Sequence, residues 1–98
     1  MIPSLQQTKE IKAKLKLISD VLWKDFSGSR VIHSDIKKTI LSNALLISAL
    51  EESDDALQNK RLPVSVTRSH LQFRKRLVAV SIDRIEHLLN VLDELRIK

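Results

Sequence analysis

The sequence contains no cysteine and only one glycine, and each shortage excludes a class of protein. Without cysteine there is no disulfide framework, no thiol nucleophile and no cysteine-ligated zinc site. One glycine cannot form the glycine-rich loop with which many nucleotide-binding proteins hold phosphate. The chain also has only two prolines, so it lacks the turn residues that a fold of many short strands needs. We therefore expect a helical fold that is held together by packing alone.

Residues suited to catalysis or metal binding are also few. The three histidines are His33, His70 and His87, and no two of them have the i, i+4 spacing that places two zinc ligands on one helix face. The sequence has no G-x-S-x-G turn that would expose a nucleophilic serine. We expect a protein that is not an enzyme and that binds neither a metal nor a cofactor.

The overall composition is that of a small globular protein with a basic excess. The 98 residues include 17 Lys and Arg against 12 Asp and Glu, and 43% of the residues are hydrophobic. This length predicts a single domain over residues 1–98. No apolar run approaches the ~20 residues that cross a bilayer, and the first residues do not resemble a signal peptide. We expect a cytoplasmic protein without membrane association.

Hydrophobic periodicity predicts a first helix from about residue 4 to residue 26. Ser4 and Gln7 have the spacing of a capping box, in which the first side chain satisfies backbone donors at the start of the helix. The only glycine, Gly28, follows the segment and is suited to end it. The apolar stripe of this helix is Ile11, Leu15, Ile18 and Leu22, widened by Leu17, Val21, Trp23 and Phe26.

A second helix is predicted to begin between residues 31 and 35, with Ser34 as its N-cap. Two alternatives remain for its end. Either it continues to about Lys60 and stops before Pro63, or it breaks earlier and Ser53 caps a short fourth helical turn. We favour the continuous helix. Its broad apolar face consists of Ile36, Ile40, Leu41, Ala44, Leu45, Ile47 and Leu50.

The third segment has the most regular pattern and is predicted to start at a cap at Thr67 or Ser69 and to end near Lys98. Its stripe is Val78, Ile82, Ile85, Leu89 and Leu92, flanked by Leu88 and Leu95. Three such helices joined by short connections predict an antiparallel three-helix bundle of up-down-up topology.

Charge is distributed unevenly along the chain. Residues 56–82 contain no acid but carry Lys60, Arg61, Arg68, Arg74, Lys75 and Arg76, and directly before them lie Glu51, Glu52, Asp54 and Asp55. In an up-down-up bundle the two stretches lie at the same end. They could form a solvated network of internal charge pairs, bind phosphate groups, or complement a charged protein surface. Nucleic acid is the less favoured partner, because no aromatic platform for stacking accompanies the cations.

Three stretches together resemble a BAG domain, the three-helix module that binds the ATPase domain of DnaK-type heat-shock chaperones. Asp25-Phe26-Ser27-Gly28 is similar to the Asn-Phe-Glu-Gly that often closes the first helix of the family. Residues 41–54 resemble its second helix, L-x-x-x-L-L-x-x-L-D-x-I-D. Residues 84–95 resemble its last helix, K-I-Q-x-x-L-x-x-L-D-E-L. The resemblance implies an adaptor that binds the chaperone and promotes nucleotide exchange.

The resemblance also implies a binding surface of acids on the second helix and Arg and Gln on the third. Asp54 and Glu51 match the acids, whereas the glutamine of the family falls on Glu86 and its arginine on Val78. The nearest basic cluster lies one turn before Val78. The implied partner-binding residues are therefore Glu51, Asp54, Arg74, Lys75, Arg76 and Glu86.

Two other functions fit the same sequence. One is a small helical regulator, either a monomer or a dimer, whose basic stretch 60–76 binds nucleic acid or an acidic protein. The other is an assembly protein whose third helix pairs with another helix, in a homo-oligomer or with a partner, through Ile85, Leu89 and Leu92.

Overall fold

The computed structural model describes residues 3–26, 33–59 and 61–97, and these form three α-helices with no strand. Helix α1 is Leu5–Phe26, α2 is His33–Gln58 and α3 is Val64–Ile97. Every helix packs against the other two, in a bundle 51 Å long and 21 by 17 Å across. The predicted all-α three-helix bundle is therefore confirmed. No described helix combines the length and the apolar character needed to cross a membrane.

Two polar contacts establish the directions of the helices. Thr8, near the start of α1, donates a hydrogen bond to Asp54, near the end of α2. Asp54 in turn pairs with Arg74, which lies in the first half of α3. The start of α1, the end of α2 and the start of α3 therefore meet at one end of the bundle, as the up-down-up topology requires.

The predicted helix ends agree with the structure in part. The Gln7 amide donates to Ser4 Oγ at 3.1 Å, so Ser4 caps α1 as predicted. Helix α2 is continuous to Gln58, which confirms the favoured alternative, and no fourth helical turn occurs among the described residues that follow it. The predicted glycine cap at residue 28 and the Ser34 side chain lie outside the described residues.

Helix α3 begins earlier than the sequence predicted. Its first residue is Val64, and the Thr67 amide already donates to the Pro63 carbonyl at 2.9 Å, so the predicted start at Thr67 or Ser69 was wrong. Proline suits this boundary because its fixed φ is compatible with a helix start and because the first turn of a helix does not need its missing amide hydrogen. The serine and threonine spacing pointed to a cap that the helix does not use.

The aliphatic core follows the predicted stripe of α1 closely. Ile11, Leu15, Ile18 and Leu22 are all buried, and they pack with Ile36 and Leu50 of α2 and with Leu77, Val78, Ile85, Leu88 and Leu92 of α3. Complete burial of such side chains supplies roughly 1.5–3 kcal/mol each. These residues hold the three helices together.

The predicted apolar faces of α2 and α3 were too broad. Leu41 and Leu45 of α2 are 63% and 64% exposed, because its apolar residues cover more of the helix surface than two neighbouring helices can bury. On α3, Ile82 and Leu89 are 38% and 48% exposed, whereas Leu88 is buried. Two overlapping rows of apolar side chains run along α3, and their spacing alone does not determine which row faces inward.

Candidate functional site

Arg74 of α3 is the largest fully buried side chain among the described residues, at 1% exposure. Its Nε donates to the Pro3 carbonyl at 2.9 Å, and its Nη1 donates to Ser53 Oγ at 2.9 Å. Its Nη2 lies 2.7 Å from Asp54 Oδ1 and 3.2 Å from the Ser4 carbonyl. A guanidinium has five N–H donors and no acceptor, so this set of oxygens matches its chemistry.

Asp54 of α2 balances the charge of Arg74 from within the bundle. Its Oδ1 accepts a hydrogen bond of 2.7 Å from the Thr8 hydroxyl, and that hydroxyl accepts one of 3.0 Å from Arg74 Nη2. The other carboxylate oxygen, Oδ2, accepts from Lys12 Nζ at 2.8 Å. Asp54 therefore contacts cations from both α1 and α3.

We call Thr8, Lys12, Ser53, Asp54 and Arg74 the polar junction. It takes side chains from all three helices and lies at the end of the bundle where α2 ends. Removing two charges from water is costly unless the ions are paired and their remaining donors and acceptors are satisfied. Within the described structure no buried side-chain nitrogen or oxygen lacks a hydrogen-bond partner, so this condition is met.

The polar junction also determines the charge state of Asp54. Burial by itself would raise the pKa of this carboxyl group, but the hydrogen bonds from Lys12, Thr8 and Arg74, with the charge of Arg74, outweigh burial and lower the pKa below its ordinary value. Asp54 is therefore an ionised hydrogen-bond acceptor at neutral pH, which is the state that a buried guanidinium requires.

A second polar layer crosses the bundle further from that end. Asn43 of α2 is fully buried, and its Nδ2 donates to Ser19 Oγ of α1 at 2.9 Å. The Asn43 Oδ1 accepts from Arg84 Nε of α3, and Arg84 Nη2 donates to the Thr39 carbonyl at 3.2 Å. We call Ser19, Asn43 and Arg84 the amide layer. Like the polar junction, it contains one or more side chains from each helix.

The six residues that the sequence predicted as partner-binding divide into two groups. Glu51, Lys75, Arg76 and Glu86 are exposed and lie on the outside of α2 and α3. Asp54 and Arg74 face inward and contact each other, so their charges pair inside the bundle and are not presented on its surface. The predicted proximity of the acidic and basic stretches is thus realised by one internal pair.

The other described charges of the acidic and basic stretches remain on the surface. On α2 these are the exposed acids Glu51, Glu52 and Asp55, and after it the exposed cations Arg61, Arg68, Lys75 and Arg76. Among the described residues, no group of three or more His, Asp or Glu side chains is placed to hold a metal ion. The exposed charges of these two stretches are therefore of both signs, acidic on α2 and basic on α3 and the segment before it.

An open groove of about 430 Å³ lies between α1 and α2, toward the other end of the bundle. It is lined by Ser19, Asp20, Trp23, Lys37, Ile40, Leu41 and Ala44. The lining is mainly apolar and comes from the outer edges of the two helices, so the groove is a surface feature and not an enclosed ligand cavity.

Sequence reasoning missed the roles of Thr8, Lys12, Asn43 and Arg84. The signal was present for two of them: Thr8 lies three residues before Ile11, and Asn43 lies seven residues before Leu50, so each stands on a buried stripe of its helix. Polar residues on such a stripe need partners, and those partners come from other helices.

Comparison with known proteins gives no match: no family model, no curated protein and no solved structure shows significant similarity to this chain.

Proposed function

We propose that this protein is a non-catalytic adaptor that binds the ATPase domain of a DnaK-type heat-shock chaperone and promotes nucleotide exchange. The observation that carries the proposal is the exposed charge at one end of the bundle, with acids on α2 and cations on α3. The resemblance of three sequence stretches to a BAG domain supports it, and so does the three-helix architecture. The proposed role places the protein in the cytoplasm.

The proposed contact residues are the exposed members of the predicted set, Glu51, Lys75, Arg76 and Glu86. Lys75 and Arg76 directly follow the buried Arg74, so the polar junction fixes the part of α3 that carries them. Asp54 and Arg74 would act on binding indirectly, by holding the end of α2 against α3. Charged surfaces of this kind contribute mainly to partner choice and association rate.

The proposed mechanism is selective binding to an open form of the ATPase cleft. A ligand that prefers one of two conformations shifts the population toward it by no more than the difference in its two affinities. Nucleotide held by the closed form would then be released. A shift from a mostly closed to a mostly open population requires a preference of about 5.5 kcal/mol, so smaller preferences would accelerate release only in part.

Titration calorimetry against a purified DnaK-type ATPase domain, with and without ADP, tests this proposal. We expect binding that weakens when ADP is present, and a loss of at least about tenfold in affinity for K75E/R76E, equal to ~1.4 kcal/mol. K37E/K38E makes the same change in net charge at the other end of α2 and should bind as the unmodified chain does. Absence of binding, or equal effects of the two double variants, would contradict the proposal.

The second candidate function is binding of nucleic acid or an acidic protein by the basic stretch 60–76. It is favoured by the exposure of Arg61, Arg68, Lys75 and Arg76 in a region without acids. A fluorescent DNA duplex distinguishes the two functions, because phosphate contacts give an affinity that falls steeply as salt increases. Salt-dependent binding that K75E/R76E removes would support this candidate, and lack of binding at low salt would exclude it for nucleic acid.

A further inference from the structure

The outer face of α2, opposite the core, carries exposed leucines. Leu41 and Leu45 are 63% and 64% exposed and lie on the side of the helix away from the buried Asn43 and Leu50. The outward-facing row that contains these leucines is Lys38, Leu41, Leu45, Ser48 and Glu52. All five residues are exposed, and they are spaced alternately by three and four residues. This spacing is that of the contact seam of a two-stranded coiled coil. We call these five residues the outer seam.

A second row of exposed side chains flanks the outer seam on the side of α1. It consists of Lys37, Ala44 and Glu51, spaced by seven residues. A cation therefore stands at one end of the row, an acid at the other and a small side chain in the middle. Neither Lys37 nor Glu51 takes part in an ion pair within the described structure, where the pairs present both involve Asp54.

We propose that the outer seam is a docking surface for a second copy of this chain, packed with its α2 antiparallel. In an antiparallel coiled coil, Leu41 of each copy packs against Leu45 of the other. The same register brings Ala44 opposite Ala44 and Lys37 opposite Glu51 of the second copy, and the two-fold symmetry repeats each contact.

The charges of the outer seam and the flanking row together identify a copy of this chain, in this orientation, as the occupant. In a parallel pair, Lys38 would face Lys38 and Glu52 would face Glu52 across the seam, and like charges at an interface disfavour association. Only the antiparallel arrangement places opposite charges together at both ends. The row is therefore complementary to itself.

The surface beside the flanking row enlarges the contact. The open groove between α1 and α2 is lined in part by Lys37, Leu41 and Ala44, and Trp23 forms its wall on the side of α1. The 15 residues from Lys38 to Glu52 extend ~21 Å along the helix, so the contact lies at the small end of the interface range, below about 1,200 Å². We therefore expect a reversible dimer with a dissociation constant on the order of 10–100 µM.

Exchanging the charges tests the proposal. K37E/K38E and E51K/E52K should each be monomeric, because each places like charges together at both ends of an antiparallel pair. An equimolar mixture of the two restores opposite charges at both ends and should form a heterodimer. Sedimentation equilibrium across the expected range of concentration measures all three, against a monomer mass of 11.2 kDa.

The unmodified chain should approach twice the monomer mass at the highest concentrations. K75E/R76E changes the net charge as K37E/K38E does, but on α3, and should dimerise as the unmodified chain does. Circular dichroism verifies that each variant remains helical. A monomer at every concentration, or a charge-exchanged mixture that stays monomeric, would overturn the proposal. Glu51 belongs to both proposed surfaces, so the two proposals are distinguished at residues that belong to one surface only: K37E/K38E should remove the dimer and keep chaperone binding, and K75E/R76E should do the reverse.

Discussion

Asp54→Ala is expected to destabilise the protein by about 3–5 kcal/mol, which is the free-energy cost of removing one partner of a buried ion pair and leaving the other. The substitution leaves the Arg74 guanidinium inside the bundle at 1% exposure with no anion beside it. Proteins of this size have a total free energy of unfolding of only about 5–15 kcal/mol, so much of the stability would be lost. Urea unfolding followed by circular dichroism measures the effect.

Asp55→Ala is the matched control for that substitution. It removes the same charge and the same atoms from the next residue of α2, but the Asp55 side chain is exposed. A surface change of this kind usually alters stability by no more than about 0.5 kcal/mol. Equal losses for the two variants would mean that general charge on α2, and not the polar junction, stabilises the bundle.

The second large effect is expected for Asn43→Ala, which should lower the free energy of unfolding by about 1–3 kcal/mol. Asn43 is fully buried, and its removal deprives Arg84 Nε of its acceptor and Ser19 Oγ of its donor. Ser48→Ala, on the exposed side of the same helix, is the control and should change stability little. An unchanged urea midpoint for Asn43→Ala would show that the amide layer does not contribute to stability.

The polar junction and the amide layer together explain how an aliphatic bundle adopts a single register. Leucine and isoleucine stripes pack in several registers at similar cost, whereas a one-turn shift would leave Arg74 and Asn43 buried without partners. Buried polar groups fix register in this way in some coiled coils, at a cost in stability. The two layers lie apart along the bundle and each joins all three helices, so both resist the same shift.

The fold was predictable because its main determinants are local. The α1 stripe repeats at three and four residues, and the Ser4 cap has a side chain suited to its position, so both could be recognised in the sequence. The width of the α2 face was not predictable, because it depends on how much of that helix its neighbours cover. Leu41 and Leu45 are exposed for that reason, and the outer seam follows from it.

The candidate site was harder to predict because burial of a charge depends on distant partners. Arg74 stands four residues before Val78, on the inward row of α3, and its position was visible in the sequence. Between Phe73 and Lys75, however, it resembles one of a run of surface cations. Only the approach of Asp54, 20 residues earlier in the sequence, makes its burial favourable, and no local pattern encodes that contact.

Arg74 is buried whereas its neighbours Lys75 and Arg76 are exposed, and this difference decides which variants can test partner binding. A reversal of charge at Arg74 or Asp54 would disrupt the bundle, so loss of binding in such a variant would report on folding. Lys75 and Arg76 are exposed and can be changed without disturbing the polar junction. They are the residues at which binding and stability can be separated.

A double-mutant cycle on Asp54 and Arg74 tests most directly whether the two residues form one internal unit. The cycle compares Asp54→Ala, Arg74→Met and the double variant by urea unfolding. We expect the double variant to be more stable than the sum of the single losses implies, with a coupling energy in the upper part of the ~0.5–3 kcal/mol range of contacting residues. Losses that add within about 0.5 kcal/mol would show that the two charges act independently and would contradict the account.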